Sequence, residues 1–71
     1  MKESMTLGER LSSILEEKGV TVLELANKTE HSSLHVDRWC SDSIIPKATD
    51  LSDIAKALDI TTVQLVELLN L

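Results

Sequence analysis

Residues 21–41, TVLELANKTEHSSLHVDRWCS, decide the fold of this chain. They read as two short helices joined by a tight polar turn. Thr21 and Glu24 have the spacing of a capping box, in which each side chain satisfies a free backbone N–H at the helix start. Val20 and Leu25 stand where a hydrophobic staple closes over that cap. Leu25 and Ala26 supply the buried side of a helix over 22–29, and Ala26 is small enough for another helix to cross closely. After Lys28-Thr29-Glu30-His31, Ser32 is the expected N-cap of a helix over 33–40, with Val36 and Trp39 on its inner face. One helix bracing another that faces outward is a helix-turn-helix, an arrangement used to read DNA.

The flanks continue the helical pattern. Upstream, Thr6 and Glu9 have the spacing of a second capping box, and Leu7, Leu11, Ile14 and Leu15 follow the stripe of a buried helical face. Lys18-Gly19 closes that helix, because glycine tolerates the left-handed conformation after a helix end. Downstream, the loop Ser41-Asp42-Ser43-Ile44-Ile45-Pro46 breaks the chain, since residues before proline avoid the helical region. A fourth helix is expected from about Ala48 to Leu58, with Leu51, Ile54, Ala55 and Leu58 facing inward. Asp59-Ile60 then leads to a third capping box, Thr61 with Gln64, and a short last helix carrying Leu65, Val66, Leu68 and Leu69. No strand-like alternation, repeat or low-complexity tract interrupts this order. The expectation is all-α: five helices in one domain spanning 1–71, with 1–5 as a flexible N-terminal tail.

Composition bounds the function. Seventy-one residues, 42% of them apolar, suffice for one modest core, and Trp39 is its sole aromatic. Leu, Ile, Val and Ala must therefore fill the interior. The single Cys40 excludes an internal disulfide and a cysteine zinc site. With no apolar run of membrane length, and an opening MKESMT too polar for an export signal, it points to the cytoplasm and away from a membrane. No nucleophile–base pairing or glycine-rich phosphate loop suggests an enzyme, and no cofactor site is expected. Twelve acids against seven bases give a net charge of −5. That is unusual for a chain that binds polyanions, since phosphate affinity comes from Lys and Arg displacing counterions.

The order of elements resembles the phage-repressor and Cro-like family of DNA-binding domains, also called the Xre family. The resemblance covers about residues 7–69. It rests on the opening LGERLSSILEEKG, then Val20-Thr21, Glu24-Leu25-Ala26, Ser32, Val36, Arg38-Trp39 and Pro46, and on the closing LSDIAKALDITTVQLVELL, its most specific part. It implies a compact five-helix bundle of the lambda-repressor-like type whose usual work is operator binding as a dimer. Three positions depart from the family pattern. Val22 stands where a phosphate-contacting glutamine is frequent, Glu30 where the turn favours glycine, and Cys40 where glutamate is frequent. Either Glu30 is strained or the turn differs.

By analogy, the outward face of the third helix carries Ser32, Ser33, Leu34, Asp37, Arg38 and Ser41. Serine hydroxyls suit phosphate or base edges, Leu34 a thymine methyl, Arg38 guanine or phosphate, and Asp37 cytosine N4. The bland reading of this face is a solvated surface with one Asp–Arg pair, worth about 0–1 kcal/mol. Thr21 with the amides after it, and Lys47 beside the start of the fourth helix, are expected to meet phosphate, because helix N-termini attract anions. Lys28 and Arg10 are candidates to assist. His31 and His35 lie near Cys40, but no fourth ligand accompanies them, so no metal is expected. His31 is expected to fill the small position at the turn and His35 to be exposed.

Leu65, Val66, Leu68, Leu69 and Leu71 are too many for one side of a short helix. A homodimer through Leu65, Leu68, Leu69 and Leu71 would cover them; the alternative is that Leu71 frays and the others close the monomer core. Double-stranded DNA is the expected partner, bound by a transcriptional regulator, with a repressor of phage, plasmid or mobile-element type as the specific form. The competing reading is an acidic protein-interaction module of the same fold, antirepressor- or antitoxin-like, with little DNA binding and a protein partner instead.

Overall fold

The computed structural model describes residues 4–71, so residues 1–3 of the expected tail lie outside the described residues. Five helices follow one another: α1 (Leu7–Lys18), α2 (Val22–Thr29), α3 (Ser33–Cys40), α4 (Ala48–Ala57) and α5 (Thr62–Leu69). There is no strand among the described residues. The helix-turn-helix bounds are those expected, and Leu58 falls just outside α4 as its C-cap.

Local chemistry sets each start. All three expected capping boxes form. The hydroxyls of Thr6, Thr21 and Thr61 accept from the amides of Glu9, Glu24 and Gln64 at 3.0–3.1 Å. The side chains of those three residues accept in return from the threonine amides at 2.9–3.0 Å. At α4 only half of such a box exists: Asp50 Oδ2 accepts from the Lys47 amide at 2.9 Å, and Lys47 has no acceptor to return the bond. Gly19 ends α1 at φ 68°, in the left-handed region. Glu30 ends α2 at φ 60° in the same region, so the turn keeps its form and Glu30 bears the strain.

Packing converts these helices into one body. α2 lies against α3 and α4, α1 against α3 and α5, and α4 against α5. The core holds Leu11, Leu25, Val36, Trp39, Ile54 and Leu65, all fully buried. The radius of gyration, 11.0 Å, is that of a closed globule of this length, about 11 Å. The indole N–H of Trp39 is buried without an acceptor among the described residues, which costs about 1–3 kcal/mol. Burying the largest side chain of the core, at about 150–250 Å² and 25 cal/mol/Å², contributes more than that.

Two features differ from the sequence reading. His35 is half-buried, not exposed. Its ring stacks on that of His31 with centroids 4.2 Å apart, and both rings meet Trp39 edge-to-face at 5.0–5.1 Å. One helical turn separates His35 from Trp39, so a ring at 35 has the indole as its neighbour. Gly8, passed over in the sequence, is buried where α1 crosses the end of α3. A Cβ there would run into the Cys40 carbonyl and lie 2.8 Å from the Trp39 carbonyl oxygen. The Gly8 amide donates to Asp42 Oδ1 at 2.9 Å, tying the start of α1 to the chain leaving α3.

Candidate nucleic-acid interface

The two faces of α3 are sharply unequal. Val36 and Trp39 are fully buried, while Ser33, Leu34, Asp37 and Arg38 are exposed, as is Ser41 at the C-cap. Leu34, Arg38 and Ser41 fall at i, i+4 and i+7, forming one outward row. Leu34 leaves 56% of its surface in solvent. Among the described residues no ion pair joins Asp37 to Arg38, as expected of sequence neighbours that do not face each other on a helix. The guanidinium therefore remains available.

Several candidate hydroxyls already have partners. Ser32 Oγ caps α3 by accepting from the His35 amide at 3.1 Å. Thr21 Oγ1 is engaged with the Glu24 amide. Ser41 Oγ donates to the Arg38 carbonyl at 3.3 Å and lies 3.1 Å from Ser43 Oγ. A hydroxyl has one donor and two acceptor positions, so each retains some capacity, but Ser33 alone of these serines has no structural task in the motif.

The helix starts are also less open than their sequence implies. Glu24 holds the Thr21 amide and Asp50 holds the Lys47 amide. Each also places a carboxylate where a phosphate would approach. The amides of residues 22 and 23 in α2, and of 48, 49 and 50 in α4, where no side chain caps the helix, are the donors that remain for an anion. The Glu24 carboxyl is held below its ordinary range by the Thr21 backbone N–H, then by the Thr21 side chain, with the Lys28 charge adding to it. Lys47 is exposed beside the start of α4. Arg10 borders Leu68 of α5 and does not belong to the α3 row.

Asp50 also approaches His31 Nε2 at 3.4 Å, joining the turn of the motif to α4. Asp37 lines a groove with Leu15 of α1 and Val22 of α2, toward the α1 side of the row formed by Leu34, Arg38 and Ser41. Of the four leucines expected to meet a second copy, Leu65 and Leu69 are buried in the core of the monomer. That packing leaves only Leu68 and Leu71 on the surface, 46% and 63% exposed. Among the described residues no helix is long and apolar enough to cross a membrane.

The sequence reading missed Gly8 and Asp42, which set the angle at which α1 meets α3. A glycine inside the first turn of an otherwise good helix was the available signal, since it costs about 1 kcal/mol unless close approach requires it. A family model, that of the Cro/C1-type HTH DNA-binding domain, matches residues 10–70 of the chain. No curated protein matches it.

Proposed function

Because this chain belongs to the Cro/C1-type helix-turn-helix DNA-binding domain family, we propose that it is a transcriptional regulator that reads a specific double-stranded operator with α3. The observation that carries this reading is the two-faced α3: a helix fixed by buried Val36 and Trp39 that presents Leu34, Arg38 and Ser41 to solvent. In the proposed complex α3 enters the major groove, Arg38 pairs with guanine or phosphate, and Leu34 meets a thymine methyl. Ser32, Ser33 and Ser41 contribute hydroxyls. Thr21 and Lys47, with the amides remaining at the starts of α2 and α4, hold the backbone. Asp37 sits at the margin of the face, where an acceptor for cytosine N4 is the one role open to it.

The proposed regulator is a repressor of phage, plasmid or mobile-element type, cytoplasmic, with 1–71 as a single domain and no catalytic role. It acts as a homodimer through Leu68 and Leu71, which gives two half-sites two reading heads. Its net charge of −5 makes binding away from the proper site weak.

Selection from a randomised duplex pool at low salt, followed by salt titration of the enriched sequence, tests this. The expected result is a palindrome whose affinity falls with salt, and an Arg38→Ala chain that keeps its fold and loses at least tenfold in affinity. A folded protein that enriches no sequence, or an unchanged affinity for Arg38→Ala, overturns the assignment of α3.

A further inference from the structure

α1, the start of α2 and α3 enclose an open groove of about 630 Å³, within the ~300–1,000 Å³ of clefts that hold ligands. Leu15, Val20 and Val22 give it an apolar floor, and Glu9, Glu16 and Asp37 rim it with carboxylates. Among the described residues no Lys or Arg lines it. Among the described residues none of the three carboxylates makes an ion pair, though Glu9 gives one oxygen to its own helix cap. The carboxylate rim disfavours an anionic occupant of the groove interior. Every polar side chain around it is exposed, so a small ligand finds no fixed buried anchor, whereas an extended partner can spread its contacts along the strip.

We propose that this groove docks a cationic amphipathic helix presented by a partner protein. The partner's apolar side chains lie on the floor, and its Lys or Arg residues meet Glu9, Glu16 and Asp37. Charge complementarity fixes the sign of the occupant. The spacing suits a helix: Glu9 and Glu16 are seven residues apart on α1, about 10 Å at 1.5 Å per residue. That length matches two turns of a helix whose anchors repeat at i, i+3 or i+4, and i+7. An occupied groove would also cover Val22 and Asp37, so the partner and DNA would exclude one another. This exclusion rests on the DNA reading above; the docking does not.

The test is an NMR titration of the ¹⁵N-labelled full chain, without DNA, at physiological salt. The probes are a helical peptide of leucine and lysine in heptad spacing and its leucine–glutamate counterpart. The lysine peptide is expected to shift amides at 12–16, 20–22 and 37–40, and the glutamate peptide to leave them in place. A Ser12→Lys, Glu16→Lys double variant, changed only at exposed positions of α1, is expected to keep its helical circular dichroism and bind the lysine peptide at least tenfold more weakly. Shifts spread equally over Asp53, Asp59 and Glu67 would overturn the proposal, as would undiminished affinity in the folded double variant. Because no duplex is present, a chain that fails to bind DNA still gives a decisive result here.

Discussion

Glu30 sits at φ 60° and ψ 33° at the end of α2, a conformation that costs a residue with a Cβ about 1–2 kcal/mol. Its backbone amide closes the helix on the Ala26 and Asn27 carbonyls, so the strain is retained for the sake of the turn. Glu30→Gly is expected to raise stability by about 0.5–1 kcal/mol, the relieved strain less the greater freedom glycine brings to the unfolded chain. Urea unfolding measures it, with Glu30→Ala as the control that keeps the strain. Glu24 makes a second prediction at this scale. Its carboxyl is held below its ordinary range in the folded chain by Thr21. The stabilisation is therefore complete above the unfolded-state value and is lost as pH falls through the lowered folded-state value. Glu24→Gln keeps the box, as Gln64 does in α5, but has no proton to gain. Thermal melts at neutral and acidic pH should show the variant losing less on acidification than the wild type.

Among the elements, the crossing of α1 over the end of α3 has the least tolerance. The Gly8 amide bond to Asp42 and the absence of a Cβ at residue 8 let the two backbones touch. Gly8→Ala raises helix propensity, which by itself favours the variant by about 1 kcal/mol. The clash with the Cys40 and Trp39 carbonyls opposes it and is larger, because backbone at a packed crossing cannot rotate aside. The expected net is a destabilisation of about 1–3 kcal/mol. The same substitution should also disturb the end of α3, which calorimetry and the amide shifts of residues 38–42 would record together. An unchanged or raised melting temperature would mean that α1 can slide on α3.

For the whole molecule, the decisive quantity at the C-terminal end is what stays apolar outside once the core is filled. Leu65 and Leu69 are consumed by the monomer, and Leu68 and Leu71 remain outside with Val63. If the proposed dimer forms through these side chains, operator DNA is expected to strengthen it by holding two copies side by side. Leu68→Glu is expected to leave the monomer folded, to weaken self-association at least tenfold in sedimentation equilibrium, and to lower operator affinity in proportion. Full self-association in the variant would move the dimer contact to another face. The net charge of −5 acts at this scale too, because long-range repulsion from DNA is set by the total and its placement. In the proposed complex Arg38 and Lys47 act locally against it.

The sequence by itself determined the five helices, because capping boxes, a terminal glycine and apolar periodicity are local signals that each helix satisfies alone. It also indicated the family and the inner face of α3, since Val36 and Trp39 fall at helical spacing whatever surrounds them. Only the tertiary structure decided which leucines of α5 the core takes, that Glu30 accepts strain where the turn wants glycine, and that Gly8 marks a crossing of two backbones. It alone set His35 on His31 and Trp39 and gathered Glu9, Glu16 and Asp37 around one groove. Each of these depends on residues distant in the chain meeting in space, and a periodicity read along one helix carries no record of what packs against it.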